Sequence, residues 1–389
     1  MRIDAAERRR RLAVRHALAR PLADPEAVAE AVVALHSTDP ASMTLGVLAR
    51  LTTPRLSEVE RALYEDRSLV RILTLRRTVF AVGADRVEEF LTATRRSVAE
   101  AERRKLRTML ADSGLDDPEG LLDRAHRTAL EAAERLGTFS SADLAEAEPL
   151  LATRIAIGAG TKYATHQSLA SRLLIVLSAE GHVVRARPAG SWASTNFRWS
   201  PMRRWLGRDP RDLDPEIARA TVARRWLERF GPATPADLQW WTGWTKGHTM
   251  TALATLDTVE VELDEGPGVM LADDLDPTPE VGPWAALLPA LDPTPMGWKA
   301  RDWFLGPHGE RVFDAVGNAG PTVWVDGRVV GGWAIRDDAT VAFRLFEDVG
   351  RHALELVERR AHEPETLLDG TVVKARARRW TAVERELRG

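Results

Sequence analysis

The chain has 389 residues, a formal net charge of −3 and no cysteine. Its length predicts roughly two to four domains, and the missing thiols exclude disulfides, thiolate metal sites and a cysteine nucleophile. The first 20 residues hold seven arginines and no apolar run, so we expect no secretory signal, and no stretch approaches the ~18 apolar residues of a membrane span. These features predict a cytoplasmic protein without a membrane partner.

Charge is distributed unevenly along the chain. Residues 1–110 carry 21 Lys and Arg against 15 Asp and Glu, and residues 151–230 carry 14 against 6. Residues 111–150, with 3 against 10, and residues 231–280, with 1 against 10, have the opposite sign. Such segregation is typical of a surface that holds a polyanion on one side. The alternative is that each block forms only a solvated face.

The segment around His36 ends the first strongly patterned helix. Asp24 is suited to cap a helix that begins with proline, and apolar residues at three- and four-residue spacing extend it over Pro25–His36 until Asp39-Pro40 ends the segment. The tip of this helix presents three polar side chains, His36, Ser37 and Thr38. The alternative is that His36 has no catalytic role and only hydrogen-bonds the last carbonyls of the helix, as histidines at helix ends commonly do.

A group of helices followed by two strands recurs along the chain. The predicted helices are Arg8–Ala19, Pro25–His36, Ala41–Leu51, Ser57–Tyr64, Leu121–Leu136, Ser141–Glu146, Thr165–Leu177, Pro215–Phe230, Pro235–Trp241 and Lys246–Thr255. The predicted strands are Leu69–Thr74, Arg77–Val82, His182–Arg187, Trp192–Trp199, Thr258–Leu263 and Val269–Leu271. Groups spaced by roughly 90 to 100 residues indicate three units of one architecture, each resembling a winged helix-turn-helix.

From Gly282 onward the pattern changes to short apolar strands. They are predicted at Ala285–Leu291, Thr322–Val325, Val329–Ile335 and Thr340–Phe346, with a strong hairpin signal at Asp326-Gly327. A closing helix follows at Leu354–His362, and the tail carries Lys374, Arg376, Arg378 and Arg379. We therefore predict an α+β, mainly α protein, in which tandem winged helix-turn-helix units are followed by a C-terminal β-barrel-like domain.

The predicted domains follow from these element groups. They are winged-helix unit 1 with the candidate active-site motif at 1–110, winged-helix unit 2 at 111–208, winged-helix unit 3 at 209–280, and a C-terminal β-domain with its closing helix and basic tail at 281–389.

Several motifs of known chemistry are absent from the sequence. Gly158–Lys162 lacks the spacing of a phosphate-binding loop, no Gly-x-Ser-x-Gly elbow exists, and the nine histidines show no paired metal spacing. We expect neither a metal nor a cofactor. The thirteen tryptophans are typical of core packing, with a minority available to stack on bases. The residues alone thus favour a DNA-contacting protein and specify no reaction.

Five sequence segments, in this order, resemble the AlkZ/YcaQ family of bacterial winged-helix proteins. They are Arg11-Leu with Ala34–Pro40, Leu69-Val-Arg71 with Arg76-Arg77-Thr78, Gly231–Leu238 with Trp241, Leu288–Pro293, and Val325–Trp333. The resemblance implies three tandem winged-helix units and a C-terminal β-domain that cradle duplex DNA. It also implies a monofunctional DNA glycosylase that excises alkylated purines, and in some members unhooks interstrand crosslinks or confers self-resistance to a DNA-alkylating natural product.

The sequence departs from the family at the residues that position the attacking water. Members usually have Gln-x-Gln or Gln-x-Asp there, whereas this chain has His36-Ser37-Thr38. The resemblance implies His36 as the base and Thr38 as the partner that orients water. The predicted DNA contacts are Arg77, Arg185, Arg187, Arg203 and Arg204. We expect a monomer acting on duplex DNA; a catalytically inactive DNA-binding or regulatory protein is the alternative.

Overall fold

The computed structural model describes residues 1–158, 160–162, 164–368, 373 and 380–388. Helices hold roughly half of the chain, and the strands form small antiparallel sheets, in agreement with the predicted α+β class. None of the helices described combines the length and apolar character needed to cross a bilayer. The basic residues predicted in the tail, Lys374 to Arg379, lie outside the described residues.

The N-terminal region packs a three-stranded sheet against short helices. Its elements are α1 (Ala5–Arg15), α2 (Pro25–Ala31), β1 (Leu35–His36), α3 (Pro40–Leu48), α4 (Leu56–Tyr64), β2 (Leu69–Leu73) and β3 (Val79–Gly83). Strand β3 is central, with β1 and β2 antiparallel on either side. Every residue of β2 is buried, as expected for a strand covered on both faces.

The predicted helix Pro25–His36 was wrong in its second half. Asp24 caps α2 as predicted, since its carboxylate accepts a hydrogen bond from the Ala27 amide at 2.7 Å. The helix ends at Ala31, and Val33 then adopts a positive φ of 65°. Branching at Cβ disfavours helix at Val32 and Val33. Leu35 and His36 then form a strand because they pair with β3.

A 26-residue helix, α5 (Val87–Asp112), joins the first region to the second and was missing from the predicted elements. Its second half is dominated by Arg and Glu, so its apolar residues are too sparse to reveal a helical period. Phe90 and Leu91 pack in the largest hydrophobic core, whereas Leu106 and Leu110 pack in a separate one. The helix therefore connects two cores.

The middle of the chain contains two further groups of helices, each followed by a hairpin. The first comprises α6 (Pro118–Leu136), α7 (Ser141–Ala147), β4 (Arg154–Ile157), β5 (Thr165–Ser168), α8 (Leu169–Glu180), β6 (Val183–Ala189), β7 (Asn196–Pro201) and α9 (Met202–Leu206). The second comprises α10 (Pro215–Phe230), α11 (Pro235–Thr242), α12 (Lys246–Ala254), β8 (Thr258–Leu263) and β9 (Gly266–Leu271). Contrary to prediction, residues 165–168 are a strand, because they pair with β4 and Ser168 caps α8.

The three groups share a pairing that the sequence pattern did not reveal. In each, a residue between two consecutive helices forms a bridge to the second strand of the hairpin: His36, between α2 and α3, to Phe80, Phe139, between α6 and α7, to Trp199, and Ala233, between α10 and α11, to Val269. The bridge ties the helices to the hairpin in the same way each time. It places His36 at the repeat position held by Phe139 in the second group and Ala233 in the third.

The C-terminal region is built on an open four-stranded meander. Its elements are β10 (Ala285–Leu288), α13 (Asp302–Leu305), α14 (Gly309–Val312), β11 (Thr322–Val325), β12 (Arg328–Ile335), β13 (Val341–Leu345), α15 (Arg351–Leu368) and α16 (Ala382–Arg388). Each strand pairs with the next, and among the described residues β10 and β13 do not pair with each other. The predicted barrel-like closure is therefore corrected to an open sheet, one face of which packs on α15.

Candidate active site

The two candidate catalytic residues lie on either side of a strand end: His36 is the last residue of β1, and Thr38 lies in the bend that leads into α3. His36 pairs with Phe80, and the Ser37 amide donates to the Val79 carbonyl at 2.8 Å. Successive side chains of a strand point to opposite faces. The side chains of His36 and Ser37 therefore diverge, and Thr38 lies beyond the pairing with β3, in the bend that precedes α3.

Ser37 points to the opposite face, where a buried arginine holds it. The Arg71 guanidinium donates from Nε to Ser37 Oγ at 2.7 Å and from Nη2 to the Ser37 carbonyl at 2.9 Å. Ser37 Oγ in turn donates to Met43 Sδ at 3.2 Å. Because both partners of this contact are fully buried, the strand cannot rotate easily, and the direction of the neighbouring His36 side chain is fixed.

The two candidate catalytic side chains differ in exposure. His36 is 7% exposed and meets the ring of Phe80 edge-on at a centroid distance of 5.2 Å, whereas Thr38 is half-buried. The next residue, Asp39, caps α3: its Oδ1 accepts from the Ala41 amide and its Oδ2 from the Ser42 hydroxyl, each at 3.2 Å. With both oxygens engaged, Asp39 positions the helix.

A cleft of about 640 Å³ of empty space begins at Asp39. Its lining includes Ser42, Asp314, Trp333 and Glu384, so α3 forms one wall and the C-terminal region the other. His36 and Thr38 are not among the described residues that line it. The cleft therefore adjoins the candidate strand without containing its two functional side chains.

The β6–β7 hairpin reaches the candidate strand through one aromatic ring. Phe197 has the guanidinium of Arg185 at 3.6 Å from its ring centroid and that of Arg71 at 5.7 Å. Arg185 also lies 5.1 Å from the ring of Trp199. Since Arg71 holds Ser37, one predicted DNA contact, Arg185, is brought next to the candidate catalytic segment. Sequence reasoning assigned no role to Arg71 or Phe197.

Three other predicted DNA contacts have acidic neighbours. Arg187 pairs with Glu60 at 2.7 Å and Glu65 at 3.5 Å, which ties the second hairpin to α4. Arg77 is 59% exposed and lies 4.0 Å from a carboxylate oxygen of Glu102. The arginines that follow the hairpin are both exposed, and one of them, Arg203, has Asp209 at 3.2 Å.

Arg204 is the fifth predicted DNA contact. Among the described residues no carboxylate oxygen lies within 4.0 Å of its guanidinium. Its backbone carbonyl accepts a hydrogen bond from Arg67 Nη1 at 3.3 Å. Arg204 thus adjoins a further basic residue on the side of α9 that faces the first region.

The acidic stretch 231–280 neutralises part of the basic N-terminal block. On α1, Arg8 pairs with Glu265 at 2.5 Å, and Arg11 pairs with Asp274 at 2.9 Å. Both arginines are buried, and Arg15 reaches Asp274 as well, at 2.6 Å. Part of the charge segregation in the sequence therefore serves to dock α1 onto the third group of elements.

Comparison with known proteins decides the class of the chain. The model of the family "DNA glycosylase AlkZ-like" matches residues 29–387. The chain belongs to this family. The enzyme class expected from the resemblance, a DNA glycosylase, is confirmed. No curated protein matches the sequence.

A solved structure similar to this AlkZ-like protein is the Streptomyces sahachiroi DNA glycosylase AlkZ. The two chains share 19% sequence identity, and the alignment has a TM-score of 0.72 and covers 97% of this chain and all of the other. At this identity the likeness shows a common fold. The arrangement of the helix groups and of the C-terminal sheet is thus that of a known DNA glycosylase.

Several motif residues of the AlkZ-like chain hold its architecture. Asp237 Oδ1 accepts from the amides of Lys299 and Ala300, at 2.8 and 2.9 Å, and Trp333 Nε1 donates to the Leu288 carbonyl at 2.8 Å. The role of Arg71 could have been suspected from the sequence, since a charged residue within an apolar strand requires a buried partner. The identity of that partner, Ser37, could not, because it lies 34 residues earlier and no spacing connects the two.

Proposed function

We propose that this DNA glycosylase hydrolyses the N-glycosidic bond of N7- or N3-alkylated purines in duplex DNA, including bulky adducts and crosslinks. Membership of a DNA glycosylase family supports the N-glycosidic bond as the one that is cleaved. The residues of the candidate strand support a substrate of this type, because a cationic alkylpurine is already an activated leaving group. Such a substrate needs a placed water and stabilisation of an oxocarbenium-like sugar, and little acid assistance.

The observation that carries this proposal is the anchoring of Ser37 by the buried Arg71, which fixes the segment between His36 and Thr38. In the proposed mechanism a neutral His36 imidazole accepts a proton from water as that water attacks the sugar carbon, and Thr38 supplies a second hydrogen bond that orients it. Ser37, held by Arg71, keeps the strand in place. His-x-Thr then performs, at the same two-residue spacing, the task that glutamine side chains perform in the family.

We further propose that the three element groups are winged-helix units and that their hairpins carry the DNA contacts. The boundaries are those predicted, at 1–110, 111–208 and 209–280, with the C-terminal domain at 281–389. The hairpin β6–β7 is the strongest wing, since it presents Arg185 and Arg187 and leads into Arg203 and Arg204. A monomer would span the duplex with these groups, in repair or in self-resistance to a genotoxin.

The test is base excision by purified protein from duplex DNA that carries N7-alkylguanine or a bulky natural-product adduct, scored as abasic sites. We expect His36→Ala to lower single-turnover excision by about 10²- to 10⁴-fold, the usual contribution of general base catalysis. Thr38→Ala should lose less. DNA affinity should stay close to that of the wild type in both variants. His248→Ala, which removes an exposed histidine of α12, is the matched control.

Two results would count against these roles. Wild-type protein that binds duplex DNA yet releases no base from a broad panel of adducts would favour the catalytically inactive DNA-binding protein. Excision by His36→Ala at the rate of the wild type would remove His36 from the mechanism and leave the enzyme class intact.

A further inference from the structure

Two histidines and a glutamate that are distant in sequence meet at the base of the β6–β7 hairpin. His126 lies on α6, Glu180 is the last residue of α8, and His182 directly precedes β6. Glu180 Oε2 lies 2.6 Å from His126 Nε2 and 3.8 Å from His182 Nε2. One ligand atom from each residue falls within 4.8 Å of the other two.

The turn between α8 and β6 is what allows Glu180 and His182 to face the same point. Gly181 adopts a positive φ of 82°, a conformation that glycine takes without steric cost. The other carboxylate oxygen of Glu180, Oε1, accepts from Arg103 Nε at 2.9 Å. The contact with Arg103 holds the Glu180 carboxylate in place, and its other oxygen, Oε2, is directed at the two imidazoles.

We propose that His126, Glu180 and His182 bind a divalent transition metal, with zinc as the ion that suits the ligands best. Two imidazole nitrogens and one carboxylate oxygen are a known zinc set, and a fourth position is then open to water. His182 has a side chain that is 45% exposed, so that fourth position faces solvent. The two imidazole rings meet edge to face at 5.6 Å between centroids, and a bound ion would take the place of the direct contact between His126 Nε2 and Glu180 Oε2.

Arg103 acts in this site as an outer partner of the carboxylate. Hydrogen bonds from outside the ligand shell orient metal ligands, and the Arg103 contact to Oε1 has that geometry. Its positive charge opposes the ion, but Asp123 lies 3.8 Å from Arg103 Nη1 and offsets part of it. The bound ion would join α6 to the turn before β6. It would thus brace the hairpin that carries Arg185 and Arg187.

The experiment is a zinc titration of the full-length, metal-stripped protein without a polyhistidine tag, followed by calorimetry. We expect one zinc per chain, and more than about tenfold weaker binding in His182→Ala and in His126→Ala. His248→Ala should bind zinc like the wild type, because its side chain is exposed on α12 and outside the cluster. Cobalt should show the visible absorption of tetrahedral coordination in the wild type and in His248→Ala, and should not show it in His126→Ala or His182→Ala.

Thermal unfolding separates metal loss from misfolding. Zinc should raise the melting temperature of the wild type, since a ligand that binds the folded state stabilises it, and at the same zinc concentration it should raise that of His182→Ala by less. His182 is the least buried of the three residues, so this variant should fold normally without metal. The proposal is overturned if the wild type takes up no zinc, or if the double variant His126→Ala/His182→Ala binds it as tightly as the wild type does.

Discussion

The two ends of helix α3 differ in how completely their polar groups are enclosed. At its N-terminal end, Thr38 is half-buried and Asp39 borders the cleft. Beyond its C-terminal end, Arg50 and Asp292 form a bidentate ion pair with both distances at 2.7 Å and no exposed side-chain surface. Arg50 also donates to the carbonyls of His16 and Gly46 and to Thr294 Oγ1.

This difference separates two roles of the polar residues at the ends of α3. The Arg50 end joins the first region to the C-terminal region and satisfies every guanidinium nitrogen, so its role is to hold two parts of the chain together. The Thr38 end has a half-buried residue beside a cleft. Variants at the first should lower the free energy of unfolding, and variants at the second should lower excision while the fold persists.

The largest effect on stability is expected from Asp292→Ala. This change leaves the Arg50 charge buried without its partner, which typically costs about 3–5 kcal/mol. Denaturant unfolding of the full-length protein, followed by circular dichroism, measures the loss. As a matched control, Glu58→Ala breaks the exposed pair between Arg55 and Glu58 and should change stability by less than about 1 kcal/mol.

A second pair of variants distinguishes charge from packing at this junction. The double variant Arg50→Met/Asp292→Leu removes both charges and fills the site with apolar side chains of similar volume. It should therefore recover much of the stability lost in Asp292→Ala. If Asp292→Ala is as stable as the wild type, the ion pair does not hold the regions together, and the proposed division between the two ends of α3 fails.

The same junction predicts a pH dependence of stability. Burial, and then the charge of Arg50, lowers the pKa of His16 well below its usual value, so the folded protein keeps this imidazole neutral. The unfolded chain takes up a proton below a pH of about 6.5, and the folded chain does not. Stability should therefore be full above that pH and fall on acidification, by up to about 1.4 kcal/mol per pH unit from this group.

The measurement is the free energy of unfolding between a pH of about 7.5 and about 5. His16→Asn keeps a polar atom near Thr294, the hydroxyl that His16 Nδ1 contacts at 2.9 Å, and it cannot titrate. Its stability should fall less steeply with pH than that of the wild type, whatever its absolute value. Equal slopes in the two proteins would show that His16 takes up a proton in the folded chain at the same pH as in the unfolded chain, which contradicts a lowered pKa of His16.

Sequence reasoning located elements best where their ends carry strong local signals. The helix Pro215–Phe230 was predicted with the bounds that the structure has, because Asp214 and Pro215 mark its start. The strand Thr258–Leu263 was likewise confirmed. The second half of α5 lacked such a signal. Strand β1 was misassigned because it has only two residues, which is too short for an alternating pattern to be seen in the sequence.

The contacts that define the candidate site were beyond reach of local pattern. Arg71 and Ser37 are 34 residues apart, and Arg50 and Asp292 are 242 apart, so neither pairing leaves a spacing that a single sequence reveals. His36 and Thr38 were singled out by family resemblance. Their catalytic roles stay a prediction.

The smallest effect concerns the exposed arginines after the second hairpin. If Arg203 and Arg204 each contact one phosphate, Arg203→Ala/Arg204→Ala should reduce the slope of log affinity against log salt by at most about 1.8, that is about 0.9 per contact. Arg203 should account for the smaller share, because Asp209 lies 3.2 Å away and already offsets its charge. Arg351→Ala is the control, since Arg351 is 93% exposed, has Glu355 at 3.0 Å and lies on α15. A double variant with the slope of the wild type would place α9 outside the DNA footprint and leave the hairpin residues Arg185 and Arg187 to account for binding by this group.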